Sequence, residues 1–173
     1  MVHKHTLNIC LTAVFTALVF VITRFIQIPI PLGYFNVGNS IIMLACLFLP
    51  APYAAFCGAA GAAIADLLSY PVWAIPTIII KALMVVIFFI LRKITRRLNP
   101  IVSTTVSSIV AMLIPFAGYT ITGMILYGSI AAGLAQVPGL LLEYIANCVI
   151  FIIMYIVVFK RISEYFVHEL NRP

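Results

Sequence analysis

The sequence predicts an all-α integral membrane protein with six transmembrane helices and with its N- and C-termini in the cytoplasm. Of its 173 residues, 65% are hydrophobic and only 8% are charged, whereas a soluble domain is about half apolar. Nearly all the charges lie at the termini or in one short internal run, and apolar segments separate these places. Little polar sequence remains for a soluble domain, so we expect one membrane domain over residues 1–173.

The apolar segments set the expected helices, since a membrane-spanning helix needs about 20 apolar residues. They predict helices at about 7–23, 37–49, 54–68, 75–91, 101–117 and 139–159. The second is short and follows a stretch with Pro29, Pro31 and Gly33, which predicts an extended loop over 26–36. Residues 118–138 mix Gly with Tyr, Thr and Gln, and we assign this ambiguous stretch to an external loop.

The basic residues predict the orientation. They cluster near Lys4, at 92–97 and at Lys160 and Arg161, and cytoplasmic loops of membrane proteins are enriched in such residues. Four segments precede the central run and two follow it, so all three clusters fall on one side. The net charge of +6 is thus explained by helix flanks in a lipid bilayer, and no nucleic-acid partner is expected.

Catalytic motifs are missing from the sequence. It contains no HExxH, no GxSxG and no phosphate-binding Walker motif, and its histidines, His3, His5 and His168, all lie near the termini. We therefore expect neither an enzyme nor a metal or cofactor site. Any ATP-driven transport would need separate ATPases.

Three charged residues interrupt the apolar segments: Asp66, Lys81 and Glu143. A charge at membrane depth is costly, so it needs a partner, a wet cavity or a function. The predicted topology places all three toward the external side, with Asn147 one helical turn from Glu143 and on the same helix face. They form a salt bridge, line a ligand site or act in a proton relay, and the sequence leaves these alternatives open.

Amides and aromatic rings accumulate in the predicted external region. Asn36 either caps the second helix or binds ligand, and Asn39 lies inside a helix with few other polar groups. Trp73 and Tyr119 belong to the external segments. Such rings indicate a pocket or a simple interfacial belt.

Small residues recur at helical spacing in two segments. Ala13 and Ala17 form a small-xxx-small pair, which is typical of internal packing or of a docking face. In the third segment, small residues occupy positions 54, 58 and 62 and positions 55, 59 and 63. These two series predict a helix that is buried on all sides.

The order of these features resembles a known family. The relevant stretches are Gly-Tyr-Phe-Asn-Val-Gly-Asn at 33–39, the Ala/Gly-rich helix that ends in Asp-Leu-Leu at 58–68, Ser-Tyr-Pro-Val-Trp at 69–73 and Ile-Lys-Ala-Leu-Met at 80–84. Together they resemble the substrate-binding S components of energy-coupling factor (ECF) vitamin transporters. The likeness is greatest to the riboflavin, pyridoxine and hydroxymethylpyrimidine group.

The resemblance implies six helices in a bacterial plasma membrane and a vitamin pocket near the external face, with the first external loop as a lid. It implies docking through Ala13 and Ala17 onto a transmembrane T component that two cytoplasmic ATPases drive. Pyridoxine or hydroxymethylpyrimidine is preferred as the vitamin, and riboflavin comes next. The expected substrate-binding residues are Asn36, Asn39, Asp66, Trp73, Lys81, Tyr119, Glu143 and Asn147. Many relatives carry an acidic residue where this chain has Asn39.

Two other functions compete with this hypothesis. The first is an autonomous proton-coupled carrier that uses Asp66, Lys81 and Glu143, for which an inverted repeat is common but is not evident here. The second is a small membrane enzyme or an assembly scaffold, and the missing catalytic motifs argue against the enzyme.

Overall fold

The computed structural model describes the backbone of residues 2–170 and the side chains of residues 4–158. Within that part, the chain forms eight α-helices, one two-stranded hairpin and one short 3-10 turn at Pro71–Trp73. The elements are α1 (Val2–Phe25), β1 (Ile28–Ile30), β2 (Gly33–Phe35), α2 (Gly38–Phe48), α3 (Ala51–Ser69), α4 (Ala74–Ile94), α5 (Pro100–Ala111), α6 (Leu113–Leu126), α7 (Ile130–Ala135) and α8 (Val137–Leu170).

Five helical stretches in the described residues are long and apolar enough to cross a membrane. They are Lys4–Phe25, Ala51–Ser69, Pro71–Ile94, Pro100–Leu126 and Ile130–Val158. The second predicted segment forms α2, whose 11 residues rise only about 16 Å at 1.5 Å per residue. A hydrocarbon core is about 30 Å thick, so α2 reaches roughly halfway across.

The helix predicted over 101–117 extends to Leu126, and α7 and the start of α8 follow, so most of the expected loop over 118–138 is helical. Its one interruption, at Met112 between α5 and α6, has a local cause: Pro115 has no N–H to donate to the carbonyl of Ala111. Two glycines of α6 mark close contacts, since a side chain at Gly118 would meet Ile80 and one at Gly123 would meet Gln136. These two glycines therefore indicate helix packing, whereas the sequence analysis placed them in a loop.

The predicted extended loop over 26–36 is a β-hairpin. Ile28 pairs with Phe35 and Ile30 with Gly33 in antiparallel register, and Pro31 and Leu32 form the turn. Leu32 has a φ of 65°, which is unusual for a residue with a side chain. A proline followed by a positive φ is the pattern of a type II turn.

The Ala/Gly-rich helix α3 packs between α1 and α4. A side chain at Gly61 would meet the backbone carbonyl of Thr16 at 2.7 Å and Val19 at 2.9 Å, so the missing side chain allows α1 and α3 to approach. The expectation that α3 is buried on all sides is wrong, because Phe56 is 63% exposed and Leu67 is 56% exposed. One stripe of α3 faces outward.

The two ends of the bundle differ in chemistry. The His5 ring lies 2.8 Å from the Tyr53 hydroxyl, which places the start of α1 beside the start of α3. Since α3 and α4 run in opposite directions, the basic run at 92–97 lies at this same end, and the hairpin lies at the other. The side chains of Lys160 and Arg161 fall outside the described residues.

Replacing Gly61 with Ala is expected to lower the free energy of unfolding by about 1–3 kcal/mol, the usual cost of overpacking a tight contact. The added methyl group meets a backbone carbonyl, which cannot rotate away. The measurement is the unfolding transition in detergent, followed by circular dichroism. Gly33→Ala is the matched control because nothing lies within 4 Å of a side chain there, and equal destabilisation of both variants would contradict the packing argument.

Candidate functional site

A cavity of about 40 Å³ lies beneath the β-hairpin. Residues from α1, both strands or their flanks, α3, α4, α6, α8 and the α7–α8 junction surround it. The lining residues are Thr23, Ile30, Gly33, Tyr34, Asn36, Ala62, Asp66, Trp73, Lys81, Tyr119, Gln136, Leu140 and Glu143. Six of the eight residues predicted to bind substrate are therefore brought together, all except Asn39 and Asn147.

Asp66 joins the hairpin to the bundle. Its carboxylate accepts hydrogen bonds from the Tyr34 hydroxyl of β2 and from the Thr77 hydroxyl of α4. Burial, followed by the adjacent negative charge of Asp66, raises the pKa of Tyr34. The phenol therefore stays protonated and remains the donor in this contact.

Lys81 and Glu143 are linked through an amide rather than directly. The Lys81 ammonium donates to Oδ1 of Asn39 at 2.5 Å, and Nδ2 of Asn39 donates to a Glu143 oxygen at 3.2 Å. The same ammonium lies 5.1 Å from the centre of the Tyr119 ring, within range of a cation–π interaction. Asn39 thus contributes to the site as a bridge between two charges, although it does not line the cavity.

These contacts bear on two of the alternatives for the three charged residues, a mutual salt bridge and a ligand site. Asp66, Lys81 and Glu143 are at most 4% exposed, and all three line the same cavity. In the described part of the chain they form no direct ion pair with one another; neutral amide and hydroxyl groups stand between them. With one cation and two carboxylates, the cluster has a formal charge of −1 when all three are ionised.

The two remaining asparagines hold α2 in place. Asn36 accepts the N–H of Gly38, the first residue of α2, at 2.8 Å, which is an Asx turn. The N-cap position itself is Val37, without a side-chain cap, and Asn36 also lines the cavity. Asn147 accepts the N–H of Ser40 at 2.8 Å and donates to the carbonyls of Asn36 and Glu143. Its amide thus connects α8 to the start of α2 and to the residue two positions before it, and Asn147 does not line the cavity.

Trp73 and Tyr119 form an aromatic wall. Their ring centres are 5.7 Å apart at 69°, an edge-to-face arrangement. The Trp73 indole donates to the carbonyl of Leu32 at 2.9 Å, so it fixes the hairpin turn. The Tyr119 hydroxyl lies 3.0 Å from that of Thr77, which connects the aromatic wall to the Asp66 contacts.

Three polar lining residues were missed by the sequence analysis: Thr23, Tyr34 and Gln136. Tyr34 lies within the motif at 33–39, where only the asparagines were singled out. Thr23 and Gln136 are each 2% exposed, and Oγ1 of Thr23 and Nε2 of Gln136 have no hydrogen-bond partner among the described atoms. The one available signal was a polar residue at the end of an apolar stretch, which also fits an interfacial position.

A second feature, the α1–α3 groove, contains the predicted docking residues. Ala13 and Ala17 are both exposed and lie in a groove of about 850 Å³ between α1 and α3. The other lining residues are Ile9, Thr12, Thr16, Phe20, Pro52, Tyr53, Phe56 and Ile64. The small residues therefore face outward instead of packing inside the bundle.

The fold is that of a multi-pass membrane protein with a polar cavity beneath a hairpin. The chain is similar to a solved structure described as the S component of a bacterial ECF transporter, with a TM-score of 0.68 and 16% identity over 97% of this chain and 99% of that one. The model of the family named ECF-type riboflavin transporter, S component, matches residues 3–163. The chain therefore belongs to the ECF-type riboflavin transporter S component family.

The chain is also similar to an uncharacterised protein of Pyrococcus woesei, described by its position in a gap 3′ region. The two are 36% identical over 110 residues, which cover 62% of this chain and 72% of that protein. Membership of the family confirms the predicted resemblance and makes the protein a multi-pass membrane transport subunit rather than an enzyme.

Replacing Lys81 with Met is expected to lower the free energy of unfolding by about 2–3 kcal/mol, since buried polar groups then lose a charged partner. Adding Glu143→Gln should lower the free energy of unfolding less in the Lys81→Met variant than in the wild type. The reason is that it removes the carboxylate that Lys81→Met leaves without its cation. Equilibrium unfolding in detergent measures both effects. Lys93→Met, at the exposed end of α4, is the control and should change stability by less than about 0.5 kcal/mol; additive effects of the two buried substitutions would contradict the coupling.

Proposed function

We propose that the protein captures a heterocyclic B-vitamin at the external face of the plasma membrane for ATP-driven import. The observation that carries this proposal is the hairpin-covered cavity itself, because it combines an aromatic wall with hydrogen-bonding groups. Trp73 and Tyr119 offer surfaces for a flat ring. Asp66, Lys81 and Glu143 offer donors and acceptors at its edges.

Riboflavin is the first candidate ligand because the family is named for it. Pyridoxine and hydroxymethylpyrimidine, which the sequence analysis preferred, share with it a planar heteroaromatic ring and polar edges. Each of these would use stacking for affinity and hydrogen bonds for specificity, which is the usual division in small-molecule sites.

Admitting any of these vitamins requires the hairpin to move. Pockets that bury drug-sized ligands measure roughly 300–1,000 Å³, whereas this cavity measures about 40 Å³. The hairpin is held by Tyr34 on Asp66, by Trp73 on Leu32, and by Ile30 packed on Gly139. Its three-residue strands pair only with each other, so it is the element that can be displaced at least cost.

The proposed partners are a transmembrane T component and two cytoplasmic ATPases. The α1–α3 groove supports this part of the proposal, because exposed small residues let another transmembrane helix approach closely. With the basic end of the bundle in the cytoplasm, the cavity opens to the outside and the groove faces the lipid. Six membrane-inserted helices, with α2 crossing only partway, and cytoplasmic termini complete the proposed topology.

The test of the proposed function is binding of a vitamin panel that contains riboflavin, pyridoxine, hydroxymethylpyrimidine and thiamine. One member should bind the purified protein with a dissociation constant in the nanomolar range and quench the fluorescence of Trp73, the only tryptophan. Calorimetry on Trp73→Phe, which keeps an aromatic ring, separates the loss of signal from the loss of binding. No binding across the panel would contradict the proposal, and uptake into vesicles that contain this chain alone would favour the proton-coupled carrier.

Replacing Ala17 with Phe is expected to abolish copurification with a coexpressed T component and its ATPases, because a bulky ring fills the α1–α3 groove. Vitamin binding by the isolated variant should be unchanged, since the groove and the cavity share no lining residue. Val14→Phe is the matched control: Val14 is also exposed on α1 but does not line the groove. Loss of the complex in both variants, or in neither, would argue against docking at this surface.

A further inference from the structure

The turn between α4 and α5 presents two arginines and contributes to neither the cavity nor the α1–α3 groove. The N–H of Leu98 donates to the carbonyl of Thr95 at 2.9 Å, and this bond closes a four-residue β-turn. Arg96 and Arg97 occupy its two central positions, and both are exposed. We call residues 95–98 the basic turn.

Both neighbouring helices hold the basic turn in place. The Thr95 hydroxyl donates to the carbonyl of Leu91 in α4 at 2.8 Å and lies 2.7 Å from the hydroxyl of Ser103 in α5. Directly after the turn, the Asn99 side chain accepts the N–H of Ile101 at 2.9 Å and caps α5. The two arginine side chains therefore start from neighbouring backbone positions that are fixed.

The basic turn lies at a boundary of the membrane. One stretch long enough to cross ends at Ile94 and the next begins at Pro100, so residues 95–99 are too few to carry the turn far from the bilayer. Ile94 is 69% exposed and Leu98 is 49% exposed, so apolar side chains flank the two arginines. Basic and apolar side chains side by side are typical of a surface that lies between the headgroups and the acyl chains.

The two guanidinium groups of the basic turn have no counter-ion among the described side chains. The acidic residues of that part of the chain are Asp66 and Glu143, and both line the cavity at the opposite end of the bundle. Arg92 differs, because it is half-buried and lies 6.0 Å from the centre of the Phe88 ring. The basic turn therefore offers two adjacent cations whose planar N–H donors match the oxygens of a phosphate group.

We propose that Arg96 and Arg97 bind the phosphate of an anionic phospholipid, whose acyl chains lie against Ile94 and Leu98. This surface is separate from vitamin capture, and the proposal does not depend on the proposed function. Clusters of Lys and Arg beside a membrane-spanning helix attract anionic lipids at short range. An acidic protein surface would supply the charge but would leave the two apolar side chains without partners, so the lipid fits the turn better.

The test is native mass spectrometry of the full chain in detergent, titrated with phosphatidylglycerol or with phosphatidylcholine. The wild-type protein should bind phosphatidylglycerol more tightly than phosphatidylcholine. Replacing both arginines, Arg96→Gln with Arg97→Gln, should weaken the binding of phosphatidylglycerol about 25-fold, since each cation near an anionic lipid surface contributes about fivefold. Unchanged binding in this variant would overturn the proposal.

The matched control is Lys4→Gln with Arg24→Gln, which removes the same net charge but leaves the basic turn intact. Lys4 and Arg24 lie near the two ends of α1, so this variant should lose less than about threefold in affinity for phosphatidylglycerol. An equal loss in both double variants would mean that only net charge matters, which overturns a site at the turn. Circular dichroism and gel filtration should show all variants folded.

Two further measurements identify the ligand. Arg96→Lys with Arg97→Lys keeps both charges but removes the planar donors, so phosphatidylglycerol should bind about three- to fivefold more weakly. Wild-type affinity in this variant would overturn the paired contact with the phosphate. Inorganic phosphate at millimolar concentration should not displace the lipid, and displacement would overturn the role of the acyl chains.

Failure of this proposal and failure of the proposed function are distinguishable. The basic turn does not line the cavity, so the variant with both arginines changed to Gln should bind the same vitamin as the wild type with equal affinity. If that variant binds phosphatidylglycerol normally but no longer copurifies with a coexpressed T component and its ATPases, the turn binds protein and the lipid proposal is overturned.

Discussion

Lys81 carries an ammonium group into the interior of the bundle, where no carboxylate among the described residues pairs with it directly. The groups that stabilise it come from separate helices: Asn39 from α2, Tyr119 from α6 and, through Asn39, Glu143 from α8. Because an unpartnered charge at this depth costs several kcal/mol or more, these contacts fix the positions of four helices relative to one another. Lys81 and two of these groups, Tyr119 and Glu143, also line the cavity.

The polar network continues from the cation to the hairpin without a break. Tyr119 reaches Thr77, Thr77 donates to Asp66, and Asp66 accepts from Tyr34 on the hairpin. The hairpin is thus held by residues that also line the cavity. Anything that disturbs the hydrogen bonds of Asp66 acts at once on the shape of the cavity and on the element that covers it.

A feature of the fold or of the site could be predicted from the sequence when it depends on the residues of one segment. It could not be predicted when it depends on contacts between distant segments. The apolar segments and the three costly charges are local properties, so the sequence identified the membrane class and six of the eight proposed ligand residues as neighbours. The role of Asn39 was not evident, because it depends on two residues that lie 42 and 104 positions away.

Other misses have a similar origin. A β-hairpin turning through a leucine with positive φ carries no glycine signal at that position, so the sequence indicated only an extended loop. Gly118 and Gly123 were taken as loop residues, since nothing local shows that Ile80 and Gln136 occupy the space beside them. The unpaired atoms of Thr23 and Gln136 likewise appear only once the surrounding helices are in place.

The hydrogen bond from the Trp73 indole to the carbonyl of Leu32 affects how fast a molecule beneath the hairpin can leave. A molecule enclosed under the hairpin leaves only when that bond and the contact between Tyr34 and Asp66 break together, so the exchange rate is set by the opening of the hairpin. In the proposed transport cycle, delivery of a vitamin held under the hairpin therefore requires that element to open.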